Sequence, residues 1–153
     1  NGEPVIVVYE FWSDLQRLLK AFPKGRLLKT QEDEDDFTAG KVPILFVHPK
    51  SGGHGIDGFH LACNRMVFFS HSWNLEDYLQ IVERIGPTRQ YQAGLDRNVF
   101  LYFLIAEDTA DEDVMLRRDS KQAVQDLLLE ATKRRASGRR SAWRDRQEAE
   151  GMV

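Results

Sequence analysis

Short runs of β-branched and aromatic residues alternate with segments of helical periodicity along most of this chain. Apolar runs without polar alternation are typical of strands that are buried on both faces of a parallel sheet. Strands that alternate with helices therefore predict a three-layer α/β fold with a mainly parallel central sheet. The sequence predicts such strands at residues 4–9, 26–29, 43–47, 65–70 and 99–105.

The segments between these runs carry apolar residues at helical spacing. The first predicted helix follows the first strand and ends near residue 22, with Ser13 as a candidate N-cap. Two further helices are predicted over residues 74–86 and 110–135. The acidic run at residues 31–36 is expected to be a solvated helix face rather than a partner-binding surface.

The chain has 153 residues, which is enough for one domain with a core and too few for two. We therefore predict one α/β domain over residues 1–135 and a basic, mobile tail over residues 136–153. Residues 133–153 carry seven basic and three acidic side chains, whereas residues 1–132 carry 14 basic and 21 acidic ones. This distribution excludes a wholly basic nucleic-acid module, although the tail itself could contact phosphates.

The cysteine and histidine content argues against several kinds of site. Cys63 is the only cysteine, so it forms neither an internal disulfide nor a cysteine-based metal site, which favours a reducing, cytosolic location. The four histidines lack the spacing of a His-Glu-x-x-His helix, so no metal site is predicted. Neither Ser51 nor Cys63 lies in a nucleophile motif. No apolar run approaches the roughly 20 residues of a membrane span, so no membrane partner is predicted.

A glycine-rich loop follows the predicted strand at residues 43–47. In open α/β sheets, ligands bind beyond the carboxyl ends of the strands, where loops present backbone N–H groups. Lys50 and Ser51 can contact phosphate, and Asp57 suits a ribose hydroxyl, while the glycines let the backbone approach an anion closely. Taken alone, this loop is either a phosphate site or an ordinary connection. Its glycines are Gly52, Gly53, Gly55 and Gly58.

A second polar cluster surrounds the predicted helix at residues 74–86. Trp73 and Asn74 stand at its start, and Arg84 and Arg89 lie at its C-terminal end. We expect the two arginines on the side of the sheet where the glycine-rich loop emerges. Guanidinium groups placed there could neutralise a developing phosphoryl charge, or they could only complement the helix dipole.

Three sequence motifs occur in a characteristic order along the chain. They are Pro-Lys-Ser-Gly-Gly-His-Gly-Ile-Asp at residues 49–57, Ser-Trp-Asn at residues 72–74 and Gln-x-x-x-Arg-Ile-Gly-x-x-x-Gln at residues 80–90. With the strands between them, they resemble the second RecA-like motor domain of superfamily 2 helicase-related ATPases, especially the Swi/Snf-type translocases of phages and bacteria. The resemblance covers roughly residues 4–132. It implies a RecA-like fold and the C-terminal half of a DNA-dependent ATPase, a helicase or translocase.

The resemblance also implies a role for each motif. The segment from Val5 to Leu19 looks like motif IV, the segment from Lys50 to Gly58 looks like motif V, and the string at residues 80–90 looks like motif VI. The residues implied to bind DNA are Lys50, Ser51, Gly52, Gly53, Trp73 and Asn74. Those implied to bind the nucleotide are Gly55, Asp57 and Gln80, and the catalytic arginines are Arg84 and Arg89.

The chain departs from the family pattern at three positions. Motif VI usually reads Gln-x-x-x-Arg-x-x-Arg-x-Gly-Gln, and this chain has Pro87 at the second arginine and Arg89 at the glycine. Since proline disfavours the α conformation in the residue before it, the helix should end at Gly86, and residues 87–90 should form a turn that swings Arg89 back. Swi/Snf members usually have Asn where this chain has Asp57.

Two ATPase motifs are absent from the 153 residues: Gly-x-x-x-x-Gly-Lys-Ser/Thr and the acidic motif that holds magnesium. ATP and Mg²⁺ are therefore expected only together with an N-terminal RecA-like domain of the same polypeptide, and the chain alone should be inactive. Because it begins at its first strand, we expect a C-terminal fragment of a larger motor, acting in the cytoplasm of a bacterial or phage-infected cell. The alternative is a free-standing, non-catalytic α/β module that binds a nucleotide or a protein.

Overall fold

The fold is built on a central sheet of five strands. A computed structural model of the chain describes residues 2–51, 58–123, 125, 126 and 129. The strands are β1 (Val5–Val8), β2 (Gly25–Leu27), β3 (Ile44–Val47), β4 (Arg65–Phe68) and β5 (Phe100–Phe103). They stand in the order β2-β3-β1-β4-β5, and every pair of neighbours is parallel. The predicted α/β fold with a mainly parallel sheet is therefore confirmed.

Each strand overlaps a predicted apolar run, but each is shorter than that run. Tyr9, directly after β1, and Leu28, directly after β2, are both buried. Their backbones still join the neighbouring strand, because Tyr9 N donates to the Val47 oxygen at 3.1 Å and Leu28 N donates to the Phe46 oxygen at 2.9 Å. An apolar run does not imply burial throughout, since Phe100 and Tyr102 of β5 are 41% and 48% exposed.

Five helices cover the two faces of the sheet unequally. They are α1 (Trp12–Ala21), α2 (Gln31–Thr38), α3 (Phe59–Ala62), α4 (Leu75–Glu83) and α5 (Pro87–Gln92). On one face, Leu15 and Leu18 of α1 pack with Val7 and Phe46. The opposite face carries a larger cluster, in which buried residues of α2, α3 and α4 pack against the strands, namely Phe37, Phe59 and Ile81 with Ile6, Val8, Leu45 and Met66.

The start of α1 differs from the prediction. Ser13 is not the N-cap, because the helix begins at Trp12 and Phe11 occupies the cap position without a side-chain hydrogen bond. The backbone oxygen of Phe11 instead accepts from Asp14 N at 3.0 Å and from Leu15 N at 3.2 Å. Asp14 in the first turn favours this start, since a carboxylate near a helix N-terminus interacts with the helix dipole.

The acidic run forms α2, as the prediction of a helix face requires. Thr30 caps it in a capping box with Asp33, so two backbone N–H groups at the helix start are satisfied by side chains. Glu32 and Asp35 are exposed, Asp33 and Asp36 are partly buried, and Glu34 is buried three residues before the core residue Phe37. The predicted solvated face is therefore interrupted at Glu34, because α2 presents positions three residues apart to the sheet.

The predicted helix over residues 74–86 corresponds to α4, which is capped by the Asn74 side chain and ends at Glu83, three residues before the predicted end. The expectation of a turn at residues 87–90 is wrong, because these residues begin α5 with Pro87 in its first turn. Proline is tolerated there, since the missing N–H would have no partner inside the helix and its fixed φ suits the helix.

The chain divides into two compact units, Asn1–Met115 and Leu116–Val153. The first contains the sheet and a helical segment at residues 110–115; in the second, residues 116–123 are helical and Ser120 Oγ donates to the Leu116 oxygen at 2.8 Å. The predicted domain boundary at residue 135 and the basic tail after it lie outside the described residues and stay predictions. Within the part that the structure describes, no helix has both the length and the apolar character for a membrane crossing.

Candidate functional site

Three loops meet at the carboxyl edge, the edge of the sheet at which the parallel strands end. The ring centroids of Tyr9, after β1, and His48, after β3, lie 5.6 Å apart. The backbone N–H of Glu10 donates to Oγ of Ser70, after β4, over 2.7 Å. The helices that follow β1 and β4 pack on opposite faces of the sheet. This is a topological switch point, the place where open α/β sheets bind their ligands.

The first loop carries Lys50 and Ser51, both exposed. A tight turn holds them, because Lys50 N donates to Nδ1 of His48 at 3.2 Å and Ser51 N donates to the His48 oxygen at 2.9 Å. Residues 52–57 lie outside the described part of the chain. The predicted roles of Gly52, Gly53, Gly55 and Asp57 therefore stay predictions.

The loop after β4 carries Trp73 and Asn74. The indole of Trp73 is about half exposed, with 52% of its surface accessible. Asn74 Oδ1 accepts from Glu76 N at 3.0 Å, so this side chain also serves as the cap of α4. The structure thus brings Lys50 and Ser51 to the same edge of the sheet as Trp73 and Asn74, with only β1 between the two strands that they follow.

A cleft of about 510 Å³ opens at the same edge, near the end of β2. Sequence reasoning missed it, although Lys29 and Thr30 follow a predicted strand and so had the right position to line a site. Its polar lining mixes a cation and a carboxylate with neutral hydrogen-bonding groups. The residues that line it are Tyr9, Leu27, Leu28, Lys29, Thr30, Gln31, Glu34 and Ser51.

The two arginines do not lie at the carboxyl edge. The carbonyl oxygen of Ile85 and that of Cys63 both accept from Nε2 of Gln90 at 3.1 Å, and Cys63 lies two residues before the start of β4. The end of α4 therefore lies at the amino edge, where the strands begin. The expectation that Arg84 and Arg89 share a side with the emerging glycine-rich loop is wrong, because a helix that follows a parallel strand returns to the edge at which the next strand begins. Both arginines are partly buried.

Gln80 lies on α4, four residues before Arg84. Its side chain is exposed, and its Nε2 donates to Oε1 of Glu76 at 3.3 Å, one helical turn away. A pair at this spacing on an exposed helix face is an ordinary contact between neighbouring turns. The same spacing separates Gln80 from Arg84, and the predicted contact of Gln80 with a nucleotide stays a prediction.

Gln90 and Arg97 form a buried network at the amino edge that sequence reasoning missed. Besides its two donated hydrogen bonds, Gln90 accepts from Nε of Arg97 at 2.8 Å. The same guanidinium donates to the backbone oxygens of His60 and Leu61. The network joins α3, α5 and the segment before β5. Of its residues, the sequence motif at residues 80–90 included only Gln90, because buried polar networks have no sequence signature of their own.

The structure also bears on the nucleophile and metal hypotheses. Burial raises the pKa of the Cys63 thiol to about 11, so this thiol is protonated at neutral pH and unsuited to nucleophilic attack. His71 is buried, with Nε2 2.7 Å from the backbone oxygen of Leu104. No group of three or more His, Cys, Asp or Glu side chains that could hold a metal ion occurs among residues 2–51 and 58–123.

An ion-pair network anchors the acidic helix α2. Asp36 accepts from Nζ of Lys41 at 2.9 Å and from the guanidinium of Arg26 at 2.6 Å. These two hydrogen bonds hold the pKa of the Asp36 carboxyl below its ordinary value. The network ties the end of α2 to β2 and to the segment before β3, and so fixes one wall of the cleft.

The parallel sheet, the helices on both faces and the loops at its carboxyl edge define a three-layer RecA-like α/β domain. The same fold occurs in a solved crystal structure, that of the C-terminal part of the Fun30 ATPase domain. That structure matches with a TM-score of 0.62 and 24% sequence identity, over 76% of this chain and 39% of that one.

Sequence comparison extends this likeness to two relatives, although no family model matches the chain. It is 56% identical over 136 residues to the protein p41 of Acyrthosiphon pisum secondary endosymbiont phage 1, which covers 88% of this chain and 29% of p41. It is 27% identical over 112 residues to YwqA of Bacillus subtilis (strain 168), whose name describes an ATP-dependent helicase/translocase; the match covers 72% of this chain and 11% of YwqA. The chain thus spans less than a third of either relative. The resemblance to one part of helicase-type ATPases, and to a phage protein, is confirmed.

Proposed function

We propose that this chain is the C-terminal motor domain of a DNA-dependent ATPase, a helicase or translocase of the Swi/Snf type. One observation carries the proposal: Lys50 and Ser51 lie at the same edge of the sheet as Trp73 and Asn74, next to the topological switch point. The similarity to YwqA supports it. The phage relative p41 suggests the setting, the cytoplasm of an infected bacterial cell.

In this proposal the carboxyl edge contacts DNA. The ammonium of Lys50 would pair with a phosphate, and the hydroxyl of Ser51 and the backbone of Gly52 and Gly53 would donate hydrogen bonds to the same strand. Contacts of this kind are independent of base sequence, as a protein that moves along DNA requires. Trp73 would rest against the DNA beside them.

The amino edge would serve the nucleotide. Arg84 and Arg89 would neutralise charge on the transferred phosphoryl group, while Gly55, Asp57 and Gln80 would contact the nucleotide itself. One feature supports a shared nucleotide face. The helix α3 begins two residues after Asp57, and Arg97 ties the α3 oxygens of His60 and Leu61 to Gln90, the neighbour of Arg89.

Hydrolysis would need a second RecA-like domain. The 153 residues contain no Walker loop and no acidic magnesium motif, so the phosphate cradle and the Mg²⁺ ligands would come from an N-terminal domain of the same polypeptide. This chain would supply the arginines, the further nucleotide contacts of Gly55, Asp57 and Gln80, and the DNA-contacting edge. The gene provides a direct test: a Walker loop encoded within roughly one domain length upstream, ~100–200 residues, supports the motor, and its absence favours the free-standing binding module.

The DNA contact is tested by salt dependence. Lys50→Ala should weaken duplex binding and lower the slope of log affinity against log salt by about 1, because one phosphate contact is lost. Lys24→Ala is the matched control, since Lys24 is also exposed but directly precedes β2 at the amino edge. Equal slopes for both variants, measured by fluorescence anisotropy with a labelled duplex, would remove Lys50 from the interface.

A further inference from the structure

A histidine is the first residue of the tight turn that carries Lys50 and Ser51. In this turn Ser51 N donates to the His48 oxygen at 2.9 Å, Pro49 takes the second position, and Lys50 N donates to Nδ1 of His48 at 3.2 Å. Proline is favoured at the second position of such turns. The first position favours Asp, Asn or Ser, whose short side chains accept from the backbone N–H two residues further on. Here the imidazole takes the place of those side chains.

The imidazole of His48 also contacts the segment that follows β1. Its ring meets the ring of Tyr9 edge to face, with an angle of 74° between the two planes. Tyr9 is buried and its backbone N–H donates to the Val47 oxygen at 3.1 Å, so its ring is a fixed neighbour. Because the Lys50 nitrogen is the donor, Nδ1 of His48 must accept, and the proton of the neutral imidazole is on Nε2. One side chain thus holds the turn and ties it to the centre of the sheet.

The carboxyl edge carries charges of both signs. Lys29 and Lys50 are exposed there, but the described part of the edge also carries carboxylates. Because charges that lie more than about 10 Å apart in water are largely screened by salt, a phosphate at such a mixed edge responds mainly to the cation nearest to it. The contribution of Lys50 therefore depends on where its turn places it. The carboxylates are those of Glu10 after β1, Glu34 in the wall of the cleft, and Glu76 and Asp77 in the first turn of α4.

We infer that His48 is a positioning residue for the DNA contact of Lys50, because its Nδ1 holds the turn in the conformation that meets a backbone phosphate. The inference rests on the proposed function and deepens it. A turn that is held in advance loses less conformational freedom on binding than a loose one, so the acceptor at residue 48 raises the affinity for DNA without touching it. The ring contact with Tyr9 is secondary, since it orients the imidazole but supplies no acceptor.

The experiment separates the acceptor from the ring in the full 153-residue chain, by fluorescence anisotropy of a labelled duplex over a series of salt concentrations. His48→Asn keeps an acceptor for the Lys50 N–H but loses the ring, whereas His48→Phe keeps a ring but loses the acceptor. We expect His48→Asn to retain most of the affinity and His48→Phe to bind about 2- to 10-fold more weakly, the effect of one neutral hydrogen bond. In a Lys50→Ala background, His48→Phe should cause little further loss, because His48 acts through Lys50.

The outcomes separate the inference from the proposed function. Full affinity in a folded His48→Phe variant, an equal loss in His48→Asn and His48→Phe, or additive losses in the double variant each overturn the role of His48. A lower salt slope for Lys50→Ala would still support the DNA contact in those cases. An unchanged slope for Lys50→Ala, or no duplex binding at low salt, overturns the DNA contact and the role of His48 with it. Circular dichroism shows whether each variant keeps the fold. His48→Gln, whose amide lies one bond further from the backbone, should also lose affinity and replaces His48→Phe if that variant does not fold.

Discussion

Gln90 is the centre of the polar network at the amino edge, so we expect its replacement to lower the free energy of unfolding strongly. The side chain is 1% exposed. Its amide donates to the backbone oxygens of Cys63 and Ile85, each at 3.1 Å, and its oxygen accepts from Arg97 at 2.8 Å. Gln90→Ala removes all three hydrogen bonds at once, and the truncated side chain offers nothing in their place.

The expected size follows from the partners. A neutral hydrogen bond contributes roughly 0.5–1.5 kcal/mol net, and one to a charged group roughly 1.5–3 kcal/mol. Two of the first kind and one of the second give about 2.5–6 kcal/mol, so we expect the free energy of unfolding to fall by about 4 kcal/mol. This is a large share of the ~5–15 kcal/mol that stabilises a typical domain.

Urea unfolding followed by circular dichroism measures this change. Gln92→Ala is the matched control, because Gln92 is an exposed glutamine of the same helix, and it should shift the free energy of unfolding by no more than about 0.5 kcal/mol. A double-mutant cycle with Arg97→Ala should return a coupling energy for the charged pair. A loss of less than about 1 kcal/mol in Gln90→Ala would refute the reasoning, since water would then replace the missing partners.

Two further predictions concern charge. Because hydrogen bonds from Lys41 and Arg26 lower the pKa of Asp36, its ionised form stabilises the fold above the ordinary carboxyl value of 3.8, and this contribution is lost as the pH falls through the lower pKa of the folded state. The melting temperature of Asp36→Asn should therefore fall less steeply at acid pH than that of the unchanged protein. An equally steep fall would show that the Asp36 carboxyl does not cause the loss of stability at acid pH. In the two-domain motor that we propose, Arg89→Ala and Arg84→Ala should each lower ATP turnover by about 10³–10⁵ while ATP binding persists; near-normal turnover would show that the arginine concerned takes no part in hydrolysis.

The fold was predictable because its strongest signal is local. Runs such as the one at residues 43–47 place apolar side chains on both faces of a strand, a pattern typical of a strand that is covered on both faces. The structure has a parallel strand in each of the five predicted runs. The helix starts were less predictable. Ser13 has the side chain of a cap but sits inside the first turn, and Pro87 suits both a turn and the start of a helix, so local preference leaves both outcomes open.

The positions of the candidate site residues were predictable only for loops that directly follow a strand. Lys50 and Trp73 follow different strands of one parallel sheet, so the fold class alone brings their loops to one edge. Arg84 stands at the end of α4, and a helix between parallel strands runs back to the amino edge, so the expectation that Arg84 lies at the carboxyl edge was wrong.

The central position of β1 has a consequence for how the chain folds. This strand precedes the other four in the sequence, and both its neighbours come later: Val8 pairs with Val47 on one side and with Phe68 on the other. Contacts between residues so far apart in sequence require large loops to close first, which slows folding. During synthesis, β1 therefore has two open edges until β3 and β4 have emerged, and an open apolar edge can pair with other chains.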